Sequence, residues 1–192
     1  MQASIWWESP LERDYIFLLE IDPSVTRFQE QPLHIYYTLD GQQRHRYTPD
    51  FLVERGSQKQ IVEVKTAAEA KTEEFDRIFR TVAPVCSQSG YEFALARDTE
   101  IRLQPRLYNV QVLWRYARTQ FLPQHQIYCR HALRSGPITL GELTRYFDSK
   151  RVGRDVLYSL IYWGALDVDL MRPLNHETMV GLPAATAARE EL

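Results

Sequence analysis

The stretch Arg46-Tyr-Thr-Pro-Asp-Phe-Leu-Val53, followed after a short polar turn by Gln60-Ile-Val-Glu-Val-Lys-Thr66, decides how this chain is read. On both sides β-branched and aromatic residues alternate with polar ones, and Gly56-Ser57 punctuates them, so a two-stranded hairpin is expected. Side chains on a strand alternate faces. Glu63 and Lys65 therefore project from one face, and Val62 and Val64 from the other. On the first strand Asp50 shares a face with Thr48 and Leu52. Pairing of the two strands brings two carboxylates and an ammonium into one small volume. Carboxylates that close repel each other unless a cation lies between them. Oxygen ligands of this kind suit Mg²⁺, which is held by one or two carboxylates together with waters and substrate phosphates. A lysine beside such a metal can steer a water or stabilise charge on a phosphate. The set is equipment for metal-assisted hydrolysis of a phosphodiester.

Pro49 sharpens this reading. Proline has no N–H to give to a sheet ladder, so within a strand it marks an edge or a bulge. A bulge just before Asp50 re-aims that carboxylate out of the regular pleat. An edge hairpin with solvated charges is the plainer alternative.

Pro49-Asp50 with Glu63-Val64-Lys65 resembles the signature of the PD-(D/E)xK nuclease superfamily, the restriction-endonuclease-like fold. The resemblance extends upstream. The run from Ser9 through Leu11-Glu-Arg-Asp14 to Gln29-Glu-Gln-Pro32, then a strand, then Tyr47-Thr-Pro-Asp-Phe-Leu-Val53, is similar to the TnsA-type endonuclease subunit of heteromeric transposases. It covers roughly residues 9–97. It implies an α/β fold: a mixed sheet with flanking helices, carrying a Mg²⁺ site in which Mn²⁺ substitutes. It further implies that Asp50 and Glu63 hold the metal with the Val64 backbone carbonyl, and that Lys65 orients and activates water. The resemblance assigns a metal-ligand glutamate to the first helix, where Leu11-Glu12 is the matching position. The partners it implies are double-stranded DNA at transposon ends, a DDE-type transposase subunit that cuts the other strand, and an ATP-dependent transposition regulator. The implied reaction nicks one strand and leaves a 5′-phosphate and a 3′-hydroxyl.

Length and composition fit a small enzyme. The 192 residues suffice for one large domain or two small ones. An apolar share of 44% and a charged share of 25% are ordinary for a chain that buries a core. Cys86 and Cys129 lie far apart with no neighbouring ligand pattern, which suggests neither a zinc site nor a disulfide framework. The first residues show no basic segment or long apolar run, so no signal peptide, no membrane span and a cytoplasmic location are expected. The net charge of -2 argues against simple adhesion to nucleic acid. Residues 1–104 carry 12 Lys and Arg against 17 Asp and Glu; residues 105–192 carry 11 against 8, so the modest basic excess lies in the second half.

The pattern divides near Pro105 into a nuclease domain over 1–104, a second domain over 105–183 and a tail over 184–192. In the first part Ser9 caps a helix with Pro10 at its first position and Glu12 at its third, a capping-box spacing. This helix ends near Glu20, before Asp22-Pro23. Leu33–Thr38 and Arg44–Glu54 read as strands around the turn Asp40-Gly41, and Gln60–Lys65 as a third. A helix is expected from Glu69 to Gln88, with Phe75, Ile78, Phe79 and Val82 at helical spacing. Tyr91–Arg97 is a further strand, and Ile101–Leu103 a short one after it.

The second part reads as helices over Leu107–Gln120 and Pro123–Arg134, a third from Pro137 capped by Thr139, and a fourth over Val152–Trp163 closed by Gly164. Ala165–Leu170 then alternates. Helix, turn, helix and hairpin is the order of a winged helix-turn-helix.

Each candidate has a plainer reading beside it. Glu12 shares a helix side with Ile16 and Leu19 and can face the sheet; an ordinary capping glutamate is the alternative, and Glu8, Glu20 and Glu30 are its rivals as third acid. Arg44, His45 and Arg46 precede Asp50 and can touch phosphate, or form a solvated basic stretch with Lys59 and Lys71. Gln31-Pro32 belongs to the resemblance without a chemical role of its own. Lys150, Arg151 and Arg154 open the expected recognition helix and can contact DNA, while the same architecture serves equally as a protein-docking module. The five histidines read as structural or surface residues. A stand-alone restriction or repair nuclease of the same superfamily, and a non-catalytic DNA-binding scaffold subunit, are the other functional readings.

Overall fold

The computed structural model describes residues 9–39 and 43–184. The turn Asp40-Gly41, Glu8 and the tail beyond Ala184 lie outside the described residues. The chain forms two compact units, residues 1–103 and 104–192.

The first unit opens with helix α1 (Pro10–Ile21), whose Ser9 cap accepts a hydrogen bond from the Glu12 amide at 3.1 Å. Strands β1 (Arg27–Glu30), β2 (Ile35–Leu39), β3 (Gln43–Tyr47), β4 (Phe51–Arg55) and β5 (Gln58–Lys65) follow. A single 3₁₀ turn at Glu69–Lys71 leads into α2 (Glu73–Gln88), then β6 (Glu92–Arg97) and the short α3 (Asp98–Ile101). The main sheet has the order β1-β4-β5-β6. Its first three strands are antiparallel neighbours and β6 joins β5 in parallel, as a helical crossover through α2 requires. This mixed sheet with flanking helices fits a restriction-endonuclease-like fold.

Period-two alternation gives the sheet two buried faces. Ile61 packs with Val82 and Cys86 of α2 and with Ile35 of β2, joined by Leu52, Ile78 and Phe93. On the other face Phe51 is 1% exposed and meets Tyr15 of α1 edge-on at 5.5 Å. Burying an aromatic or branched aliphatic side chain of this size contributes about 1.5–3 kcal/mol.

Three expectations for this unit need correction. Arg44–Glu54 is not one strand. It breaks at Thr48–Asp50 into β3, which pairs with β2 in a separate two-stranded sheet, and β4, which enters the main sheet. Pro49, buried and without an N–H, is where the ladder is given up. Ile101–Leu103 is no strand, because Asp98 starts a helical turn in which the Arg102 amide reaches the Asp98 carbonyl at 2.8 Å. The helix over Glu69–Gln88 begins only at Glu73, where Thr72 caps it by accepting from the Phe75 amide. The edge strand β1 escapes the sequence pattern, since its four residues carry one apolar side chain, Phe28.

The second unit contains α4 (Arg106–Trp114), α5 (Pro123–Ala132), β7 (Ile138–Thr139), α6 (Leu140–Ser149), α7 (Arg154–Tyr162), β8 (Asp167–Val168) and β9 (Met179–Gly181). The three short strands form an antiparallel sheet in the order β7-β9-β8. Helix α4 stops six residues short of the expected Gln120. The amides of Tyr116, Ala117 and Thr119 bond three residues back, so tight turns replace the helix without any proline or glycine. The segment from Pro137 starts as β7 before Thr139 caps α6. Thr139 and Glu142 bond each other's amides in a full capping box. Left-handed Gly164, φ +69°, closes α7. No helix among the described residues is long and apolar enough to cross a membrane.

Candidate active site

Register builds the site. In the β4–β5 ladder Phe51 lies opposite Val62, so Asp50, one step before Phe51, comes to the level of Glu63. Released from the ladder by Pro49, Asp50 is fixed by its own polar groups. Its carbonyl accepts from the Gln31 amide at 2.8 Å, and its Oδ2 accepts from the Val64 amide at 2.7 Å. Gln31, left-handed at φ +40°, ends β1 and thereby ties that strand to the Asp50 backbone. This gives the Gln31-Pro32 segment a structural role.

Glu63 is buried, 5% exposed, in the middle of the sheet. Both of its carboxylate oxygens are engaged. Tyr47 donates its hydroxyl to Oε2, and Lys65 Nζ stands 2.8 Å from Oε1. Glu63 and Lys65 lie two residues apart on one strand face, as period-two alternation requires. Beyond Lys65, the Ala67 amide donates to Asp98 Oδ1 at 2.7 Å, which anchors the end of β5 to the start of α3.

The electrostatics follow from this packing. Burial and the neighbouring Glu63 charge push the Asp50 carboxyl up to about 7, against the pull of the Val64 amide and Lys65; Glu12 adds to the rise. Burial disfavours the Lys65 ammonium, but the hydrogen bond and charge of Glu63 outweigh it, so its pKa is raised and it stays protonated. Burial, then Glu63, raise the Tyr47 phenol, so its hydroxyl keeps the proton it donates to Glu63. Two carboxyl groups coupled this closely and shielded from water hold either a proton or a cation between them. An all-oxygen donor set of Asp50, Glu63 and backbone carbonyl is suited to a hard divalent ion such as Mg²⁺. Among the described residues no cluster of three or more His, Cys, Asp or Glu side chains is assembled for a metal, so Asp50 and Glu63 stand as a pair.

Glu12 sits half-buried in the first turn of α1, with Leu11, Ile16 and Leu19 buried around it, and its charge reaches Asp50. Of its rivals, Glu30 lies opposite Phe51 on β1, which by pairing puts its side chain on the face turned away from Glu63. One Glu30 oxygen is buried with no hydrogen-bond partner. Asp14 is the fully buried acid of α1, and Arg102 at 2.9 Å and Arg13 at 3.1 Å neutralise it.

The basic candidates separate. Arg44 and Arg46 are exposed on the outer face of the β2–β3 pair, whereas His45 turns inward and stacks on Tyr37 at 5.5 Å. Lys59 pairs with Glu54 across the β4–β5 ladder at 3.8 Å. Lys150 caps the C-terminus of α6, where a cation complements the helix, and Arg151 follows it at φ +59°, so neither opens α7, which begins at Arg154 and not at Val152. Arg154 starts α7 and is exposed. Val156, Leu157 and Ser159–Tyr162 of that helix are buried, with Ser159 Oγ donating to the Thr119 carbonyl at 2.7 Å. Little of α7 beyond its first turn is open to a groove.

The residue that sequence reasoning missed is Tyr47. Its only signal was a bulky aromatic three residues before Asp50.

No curated protein gives a match to the chain. Residues 22–98 match the family described as TnsA-like endonuclease N terminal, the stretch from the end of α1 through β6. With Asp50, Glu63 and Lys65 gathered inside it, that stretch is similar to the N-terminal domain of the TnsA-like endonucleases.

Proposed function

We propose that this chain is the metal-dependent endonuclease subunit of a cut-and-paste transposition system of the Tn7 type, nicking one DNA strand at each transposon end. The observation that carries it is the half-buried Asp50 coupled to the buried Glu63, with Lys65 2.8 Å from Glu63, inside a TnsA-like domain. Asp50, Glu63 and the Val64 carbonyl would hold Mg²⁺, or Mn²⁺ in its place, with Glu12 completing the acidic site. When bound, the ion supplies Lewis-acid polarisation of the scissile phosphate and lowers the pKa of a water. The chain's own residues do the positioning. The Val64 amide orients the Asp50 carboxylate, and Tyr47 with Lys65 fixes the plane of the Glu63 carboxylate. The Lys65 ammonium, one-third exposed, directs an N–H toward the attacking water or the phosphate oxygen. Hydrolysis in this orientation leaves a 5′-phosphate and a 3′-hydroxyl.

The second unit supports a winged-helix reading by its order of helix, strand, two helices and two strands, closed by the β7-β9-β8 sheet. Lys150, Arg151 and Arg154 would supply its DNA contacts. The partners are a DDE-type transposase subunit and an ATP-dependent regulator.

The test is strand-specific cleavage. Transposon-end duplex, labelled on either strand, is incubated with the chain and its transposase partner in Mg²⁺ or in chelator. One strand cut by this subunit in Mg²⁺ and none in chelator is expected. Equal cutting in chelator would remove the metal from the account.

A further inference from the structure

The outer face of the β2–β3 pair takes no part in the carboxylate site or the core. In the antiparallel register Tyr36 lies opposite Arg46, and Thr38 opposite Arg44. These four side chains are exposed, while Ile35, Tyr37 and Tyr47 of the alternate set pack inward with the α2 cluster. Neither strand carries a carboxylate; the one acid between them in sequence is Asp40. Among the described residues neither arginine is in an ion pair. The Arg44 guanidinium rests instead over the Tyr36 ring, 4.3 Å from its centroid. A guanidinium held flat on an aromatic ring is oriented in advance, with its N–H edge free to fork an anion. It borders a notch that Thr38, Tyr37 and Thr81 of α2 also line.

Position gives this face its purpose. Arg46 is the residue before Tyr47, which holds Glu63, and β3 runs through Thr48-Pro49 directly into Asp50. His34 Nδ1, 2.8 Å from Thr48 Oγ1, ties β2 to the same junction. Residues two apart on a strand stand about 7 Å apart at ~3.4 Å per residue. That matches the separation of neighbouring phosphates along one DNA strand. We infer that Arg44 and Arg46 grip two successive phosphates of duplex DNA on the face of the β2–β3 pair opposite Tyr47, making that pair a substrate-holding arm of the nuclease unit. The inference rests on the endonuclease reading above for its choice of DNA as the anion.

The experiment measures binding rather than cutting. The full chain is titrated against a fluorescent DNA duplex in chelator over a range of salt concentrations, by anisotropy. Each phosphate contact contributes about 0.9 to the slope of log K against log salt. Arg44→Ala and Arg46→Ala should each lower the slope by about 0.9, and the double variant by about 1.8, uniformly across duplex sequences. Arg44→Lys should keep the slope, since its charge still displaces a counterion. A double variant with the wild-type slope, or a full chain that binds no duplex at low salt, would overturn the assignment. A chain that shows the slope shift yet never cuts DNA in Mg²⁺ would leave the arm standing and remove the nuclease reading.

Discussion

The hydroxyl of Tyr47 donates a hydrogen bond to Oε2 of Glu63, from a strand outside the sheet that carries the glutamate. A phenol that donates its proton to a carboxylate fixes that carboxylate, as outer partners of metal ligands do. Tyr47→Phe keeps the ring that packs near Phe93 and removes only the hydroxyl. It should weaken Mn²⁺ binding or cleavage by about 10–100-fold. Calorimetric titration of Mn²⁺ into wild type and variant, with a thermal melt as control, checks this; unchanged affinity and activity would reduce the hydrogen bond to packing.

The Asp50 carboxyl predicts a pH effect on stability. Its pKa in the fold is raised to about 7 from an ordinary 3.8, first by burial and then by Glu63. The fold thus favours the protonated acid. That contribution is complete below the ordinary value and is lost as pH rises through about 7. Asp50→Asn cannot ionise and still accepts from the Val64 amide. In chelator the variant should melt higher than wild type, with the gap opening between about pH 4 and pH 7 and level above it. Melting curves that run parallel across this range would contradict the strained pair.

Lys65 should act on the chemical step. Lys65→Ala should slow cleavage by about 10²–10⁴-fold, the range of positioned proton-transfer groups, with little change in complex assembly. Lys65→Arg should be nearly as impaired, because a planar fork replaces a point charge 2.8 Å from Glu63. Single-turnover rates and co-purification with the transposase subunit separate the two effects. A substantially active Lys65→Arg enzyme would mean the position supplies only charge.

The third acid is a choice between helix and strand. Glu12→Gln removes a charge felt at Asp50 while leaving the Ser9 cap on its amide. It should lose metal affinity or activity with little loss of stability. Glu30→Gln should keep both, since its side chain faces away from Glu63. The opposite ranking in Mn²⁺ titrations would move the acid from α1 to β1.

Much of this site was legible because period-two alternation is a local rule. Glu63 and Lys65 share a face on any straight strand, and the β4–β5 register then brings Asp50 level with Glu63. Tyr47 was not legible for the same reason. In one continuous strand it would face away from Asp50, and only the break at Thr48–Asp50 frees β3 to bring the phenol onto Glu63. The early stop of α4 carried no proline or glycine signal, and tertiary contacts set it: the Thr119 carbonyl bonds Ser159 and the Ala117 carbonyl bonds the Trp163 indole. The exposed start and buried remainder of α7 likewise depend on packing that helical spacing does not specify.

Asp50→Ala tests the central claim most directly. The variant leaves the core side chains Phe51 and Val53 in place and removes the half-buried carboxylate that is coupled to Glu63. Purified with its transposase partner and given transposon-end DNA in Mg²⁺ or Mn²⁺, it should assemble like wild type and leave its strand uncut. Undiminished nicking of that strand by Asp50→Ala would contradict the account and remove Asp50 from the active site.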